Sequence, residues 1–237
     1  MNGPMSEVEL QRQHYARTAG HYETIQSDHE AHYFALAVLV GLLDHLEIKT
    51  ILDVGSGTGK AVRYLKQRRP DLRVIGLEPV KEMRDLAVAE GVSPEDIIEG
   101  DATRLPFEAG AFDLVCEFGA LHHIRRADLA TSEMLRVARR AIFISDANNF
   151  GQGSPLARGV KQALDFLKLW KVADFVRTKG KGYMVSEGEG VYYSYSAFND
   201  YASIRAQCQS VHVINLTDAG INPYRTAGIV GLLGIKK

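Results

Sequence analysis

The segment ILDVGSGTGK, Ile51 to Lys60, passes from a short apolar run through three glycines into a helical pattern. Gly55, Gly57 and Gly59 permit a tight turn and let backbone N–H groups come close to a ligand. The N-terminus of the helix that follows favours a negative group there. The spacing is not the G-x-G-x-x-G of a dinucleotide fingerprint, whose last glycine would fall at Lys60. It is not the G-x-x-x-x-G-K-[ST] of a phosphate loop either.

Outward from this turn the chain alternates. A strand at 50–54 precedes a helix at 58–69 that Pro70 stops, and a second strand at 73–77 precedes a helix at 79–90 that Gly91 can cap. A brief strand at 97–98, a strand at 112–118, a helix at 129–138 and a strand at 141–146 follow. Strands that are apolar almost throughout, separated by helices, predict a parallel sheet covered on both faces. Ligands of such sheets sit beyond the carboxyl ends of the strands.

Upstream, Ser27 to Glu30 has the S-x-x-E form of a capping box ahead of an apolar helix ending near His45, so residues 1–48 read as a helical cap. Downstream, the rhythm lapses between Gly151 and Tyr195. That stretch opens with the loop signal GQGSP and turns helical from about Val160. Val160, Ala163, Leu164, Phe166, Leu167 and Trp170 share one side, and the pattern loses phase beyond Lys171. The apolar stripe with Trp170 reads as core or as the underside of a lid, and residues 151–195 as an insertion covering the ligand end of the sheet. The tail predicts a helix at 197–208, a strand at 211–216, a turn at Asn222-Pro223 and a strand at 226–235, an antiparallel addition to the sheet edge. The expected architecture is one α/β domain over 1–237: a Rossmann-like, doubly wound, mostly parallel seven-stranded sheet with an antiparallel C-terminal edge strand and a helical insertion.

The 237 residues are 46% hydrophobic and 24% charged, an ordinary globular balance, with a formal net charge of −1. Near-neutrality argues against a dedicated nucleic-acid binder. Two cysteines, Cys116 and Cys208, make neither a disulfide scaffold nor a zinc cluster. The start lacks the pattern of a signal peptide, and the longest apolar run, 33–43, is shorter than the ~20 residues that span a bilayer. A cytoplasmic protein is expected.

The glycine turn, with Asp53 in its acidic position, resembles motif I of the class I S-adenosylmethionine-dependent methyltransferases, in particular a type 11-like domain. Three further stretches fit in order. Glu78 ends the second strand, followed by Pro79. Gly100-Asp101-Ala102 follows the third. LPFEAGAFDLV leads into the fourth, and FGALHHI, Phe118 to Ile124, follows it. The resemblance spans roughly residues 15–146 and implies S-adenosylmethionine as cofactor. It implies Glu78 as acceptor of both ribose hydroxyls, an acceptor-only carboxylate being suited to two donors. It puts Asp101, beside Ala102, near the adenine amino group, and Gly55, Ser56, Gly57, Gly59, Glu117 and Phe118 around the cofactor. Tyr15 and Tyr22, in YARTAGHY, resemble the segment that closes over the cofactor in many relatives.

Other readings stay open beside these. Glu78 also suits a helix N-terminus, Asp101 a turn, and Tyr15 and Tyr22 plain helix packing. Asp113, at the start of its strand, reads as structural. His122 and His123 are the candidates for a general base, but adjacent residues point in different directions, so at most one faces the methyl group. No metal is expected. Asp146 with Asn148 only faintly echoes the metal-dependent catechol-type enzymes, and the motif of amino-methylating DNA enzymes is missing after the fourth strand. Seven basic residues against two acids between Arg158 and Lys181 could attract an anionic substrate, or form a solvated face or an amphipathic contact with a membrane or partner. The expected function is methyl transfer to an oxygen or nitrogen of a small molecule. The alternative is a cofactor-binding regulatory or assembly subunit without turnover; a nicotinamide oxidoreductase is disfavoured by Lys60.

Overall fold

Five parallel strands carry the ligand end of the molecule: β1 Thr50–Val54, β2 Arg73–Leu77, β3 Ile97–Ile98, β4 Phe112–Phe118 and β5 Ala138–Ala147. The computed structural model describes residues 7–18, 29–186, 188–217 and 220–236. A small separate hairpin, β6 Met184–Ser186 with β7 Gly190–Tyr192, stands apart from the main sheet. The tail supplies β8 Cys208–Asn215 and β9 Ile229–Lys236. β9 runs antiparallel against β5, and β8 lies outside it, giving the order β3-β2-β1-β4-β5-β9-β8. This is the Rossmann-like, doubly wound α/β arrangement, with the direction of winding reversing between β1 and β4.

Alternate residues of each strand enter two different cores, which is why the strands are apolar throughout rather than alternating. Leu52, Val54, Leu77, Val115 and Ile142 pack on one face with the helix Ala127–Val137. Ile51, Val74, Leu114, Cys116 and Phe143 pack on the other with the helices His29–Leu42 and Lys60–Arg68. The helix Lys81–Ala89 ends where expected: Gly91, at φ 101, lets its N–H reach the Val88 carbonyl and Val92 N–H reach Ala87. Ser27, the first residue of the expected capping box, lies outside the described residues.

Asp113 sits at the opposite end of the sheet from the glycine turn. Its buried carboxylate accepts from the Lys49 and Thr50 backbone N–H groups and the Thr50 hydroxyl, and pairs with Arg139. It stitches β4 to the entry of β1, so the structural reading of this residue holds.

The insertion departs from expectation. Its helical stretch is two helices, Pro155–Phe166 and Trp170–Arg177, with Lys168 at φ 59 between them, which accounts for the loss of phase. Neither helix contains a buried residue. The stripe read as core or as the underside of a lid is turned outward: Val160, Phe166 and Leu167 are exposed, while Trp170, half-buried, edges against Phe150 and carries the Arg177 guanidinium over its ring. Polar residues hold the helices to the body instead. The Gln162 side chain donates to the Phe150 and Arg225 carbonyls, Lys161 donates to the Asn149 carbonyl, and Asp165 accepts from the Tyr224 hydroxyl.

Candidate cofactor site

A cavity of about 470 Å³ opens at the carboxyl ends of β1, β2, β3 and β4. Its walls come from the turns after those strands: Gly55 and Gly57, Glu78 to Val80, Gly100 to Thr103, and Phe118 to Ala120. Gln11 and Tyr15 close it from the N-terminal helix Glu7–Thr18, and His123, Arg125, Arg126 and Tyr193 form the remaining side.

The glycine turn is built for close approach. Gly55, Gly57 and Gly59 all have positive φ, at 71, 53 and 73. A methyl added at Gly55 would overlap the Ala120 side chain, so the turn and the loop after β4 touch through a glycine. Gly59 is needed for a different contact, since a methyl there would meet Val92. The N–H groups of the turn are not turned to a ligand as anticipated. Gly55 and Ser56 donate to the Leu77 carbonyl, and Gly57 donates to Glu78 at 3.0 Å. We expect Gly55→Ala to strain the left-handed backbone by roughly 1–2 kcal/mol, besides the overlap with Ala120. A Tm lowered by about 2 to 8 °C should follow, and an unchanged Tm would show that the loop yields.

Glu78 lies in the cavity wall, with its carboxylate held by the N–H groups of Gly57 and Val80. Burial pushes this carboxyl up to about 6, against the opposing effect of those two hydrogen bonds. Asp53 lies behind the turn rather than in the wall. Burial, and then the neighbouring Glu78 charge, push it up to about 7, and its Oδ2 has no hydrogen-bond partner; nor has the Ser56 hydroxyl. Asp101 lines the cavity while its Oδ1 accepts from the Thr103 N–H and hydroxyl, so turn and wall roles coexist in one residue.

Glu117 does not reach the cavity. Its fully buried carboxyl accepts from the backbone N–H groups of Ser145 and Ala120 and so anchors the loop after β4. Burial, and then the Asp146 charge beside it, hold this carboxyl well above the usual range. Its neighbour Phe118, on the opposite face of the strand, does line the cavity. Tyr22 lies outside the described residues.

The two histidines part company. His122 points inward, with Nδ1 2.6 Å from the buried Asp146 carboxylate; that carboxylate also accepts from the Leu121 and His122 N–H groups. Burial alone would raise Asp146, but the His122 ring holds it below the ordinary range. His123 lines the cavity, and its Nδ1 donates to the Val191 carbonyl at 2.7 Å. Burial, and then the adjacent His122, push it down to about 3, so it is neutral at physiological pH and a weak base. The Asp146 and Asn148 side chains are committed elsewhere: Asn148 donates to the Pro223, Tyr224 and Ala227 carbonyls. Among the described residues no group of three or more His, Cys, Asp or Glu is placed to hold a metal.

Of the described residues of the insertion, only Tyr193 enters the cavity wall. The hairpin β6–β7 is clasped to the N-terminal helix by Gln11, whose amide donates to the Glu189 carbonyl and accepts from the Val191 N–H. Gln11, Met83, Arg125 and Arg126 were not legible as wall residues. Gln11 sits on a polar helix with no periodic signal, whereas the doubled arginine directly after FGALHHI was a signal available to be read.

Residues 52–143 match the family model of a methyltransferase domain. A demethylmenaquinone methyltransferase of Deinococcus radiodurans is 40% identical over 75 residues, covering 30% of this chain and 31% of that protein. Norajmaline N-methyltransferase of Rauvolfia serpentina is 35% identical over 94 residues, 38% of this chain and 32% of that protein. The alignments thus span about a third of the length of those relatives. Among solved structures, a SAM-dependent methyltransferase from Thermotoga maritima superposes with a TM-score of 0.57 at 18% identity, covering 95% of this chain and 99% of that one, a likeness of fold.

Proposed function

We propose that this chain, whose residues 52–143 match the family model of a methyltransferase domain, is a class I methyltransferase that moves a methyl group from S-adenosylmethionine to an oxygen or nitrogen of a small-molecule acceptor. The observation that carries this reading is the chemistry of one cavity. A nucleoside with neighbouring ribose hydroxyls, joined to a cationic sulfonium and an ammonium, requires carboxylate acceptors and apolar walls. The wall offers Glu78 and Asp101 beside Leu77, Met83, Ala102 and Phe118, with the orphaned Asp53 oxygen behind the turn.

In this reading Glu78 accepts from the ribose, Asp101 from the adenine amino group, and Pro79, Ala102 and Met83 flank the ring. Gly55 and Gly57 leave room for the chain that carries the sulfur. When bound, S-adenosylmethionine supplies a methyl group on an already activated leaving group. The protein's part is then alignment and exclusion of water, and effective molarity alone can contribute roughly 7–11 kcal/mol. Tyr15, His123 and Tyr193 face the side from which an acceptor would enter. Neither histidine is placed as a strong base there: His122, held by Asp146, lies off the cavity wall, and His123, which lines it, is a weak base, so the reading rests on alignment rather than on proton removal.

Calorimetry should show S-adenosylhomocysteine binding without added metal and NAD not binding. Transfer of label from methyl-labelled cofactor to candidate phenols and amines then separates an enzyme from a subunit that only binds. Binding of NAD in place of S-adenosylhomocysteine would overturn the assignment of the site.

A further inference from the structure

The helical pair of the insertion is amphipathic the wrong way round for a helix packed on a protein. Its polar residues Lys161, Gln162 and Asp165 face the body and bond to it, and Asp174 accepts from Ser194 on the segment that carries Tyr193. Its apolar residues face out. Leu156, Val160 and Leu167 follow the i, i+4, i+11 spacing of one helix face, with Leu156 80% and the adjoining Phe166 87% exposed. On the second helix Val172, Phe175 and Val176 repeat the pattern, with Val176 71% exposed. An apolar face this continuous marks an interaction surface rather than scattered surface residues.

Charge selects the occupant. Between Arg158 and Lys181 the segment carries a net charge of +5, while the whole chain carries −1. Lys168, Lys171, Lys179 and Lys181 are exposed and flank the apolar residues. A second copy meeting this face with its own would set two such cationic patches against each other. An anionic bilayer offers both what the apolar stripe and what the basic rim require. Among the described residues no helix is long and apolar enough to cross a membrane, so any contact of these helices with lipid is at the surface.

We infer that the helical pair Pro155–Phe166 and Trp170–Arg177 docks on an anionic lipid surface, its apolar face seated among the acyl chains just below the headgroups and the exposed Lys168, Lys171, Lys179 and Lys181 on the phosphates. The second helix lies beside the cavity, since Arg177 and Asp174 bond to Ser194, the residue after the wall residue Tyr193. Docking thus brings the cavity mouth close to the bilayer. The inference rests on the exposed face and its charge and does not require the proposed methyl transfer.

The test is flotation of the full chain with vesicles of phosphatidylcholine alone and of equal parts phosphatidylcholine and phosphatidylglycerol. Partitioning should be roughly tenfold or more stronger onto the anionic vesicles, the factor that one or two interfacial basic residues contribute. It should fall with added salt. Phe166→Glu with Phe175→Glu, and separately Lys168→Glu with Lys171→Glu, should abolish it while leaving the Tm and S-adenosylhomocysteine affinity unchanged, because all four side chains are exposed and outside the cavity. Equal partitioning onto both vesicle types, or none onto either, overturns the inference. So does a concentration-dependent dimer, seen by sedimentation, that the same substitutions dissolve.

Discussion

Glu78→Ala is expected to weaken S-adenosylhomocysteine binding about 10- to 100-fold, the equivalent of one hydrogen bond to a charged acceptor at roughly 1.5–3 kcal/mol. The substitution removes the carboxylate proposed to hold the ribose and also frees the Gly57 N–H that this carboxylate accepts, so the glycine turn loosens with it. The wild-type protein should show a matching pH dependence. Burial pushes Glu78 up to about 6, and only the ionised form accepts from both hydroxyls, so affinity should fall as the pH drops through about 6. Calorimetry of both proteins across that range checks this. An Ala variant that keeps its Tm and binds as the wild type does would mean that the ribose lies elsewhere in the cavity.

Asp113→Ala should do the opposite, leaving affinity unchanged and lowering stability by roughly 3 kcal/mol, the lower end for removing one partner of a buried ionic cluster. For a chain of this length that is a fall in Tm of about 6 to 12 °C. The lower end applies because the carboxylate is buried but the Arg139 side chain is 60% exposed, so water screens the pair. Burial alone would raise the Asp113 carboxyl, but the hydrogen bonds from Arg139, Lys49 and Thr50 outweigh it and hold the carboxyl below the usual range. A depressed carboxylate stabilises the fold above its unfolded value, and that stability is lost as the pH falls through the folded one. The gap in Tm between wild type and variant should therefore be widest near neutrality and narrow in acid. A gap that does not change with pH would show that packing, not charge, is what Asp113 contributes.

The two residues illustrate why some of the site could be read from the chain. Glu78 and Asp113 lie at opposite ends of their strands, and position along a parallel strand is position relative to the ligand end. Once the strand–helix rhythm was recognised, Gly55, Gly57, Glu78, Pro79, Asp101, Ala102 and Phe118 could be placed at that end without coordinates, and each lines the cavity. Glu117, which the resemblance puts around the cofactor, does not line the cavity, because the strand's period of two separates it from Phe118 by a full change of face. The neighbouring loop, which uses its carboxyl as an anchor, could not be seen from spacing.

Local order was thus determined by the sequence itself: which segments are strands of the main sheet, where Gly91 ends a helix, and which end of the sheet receives a ligand. These depend on periodicity and backbone freedom, which act over a few residues. The tertiary structure alone decided what depends on distant partners. Gln11 clasps Glu189 and Val191 across most of the chain length, and His122 finds Asp146 while His123 finds Val191. It also decided the facing of the helical pair in the insertion. A helical wheel shows that Val160, Phe166 and Leu167 lie on one side, but not whether that side meets protein or solvent. That choice was made by Asn149, Phe150, Tyr224 and Arg225, whose polar groups capture Lys161, Gln162 and Asp165 and turn the apolar stripe outward.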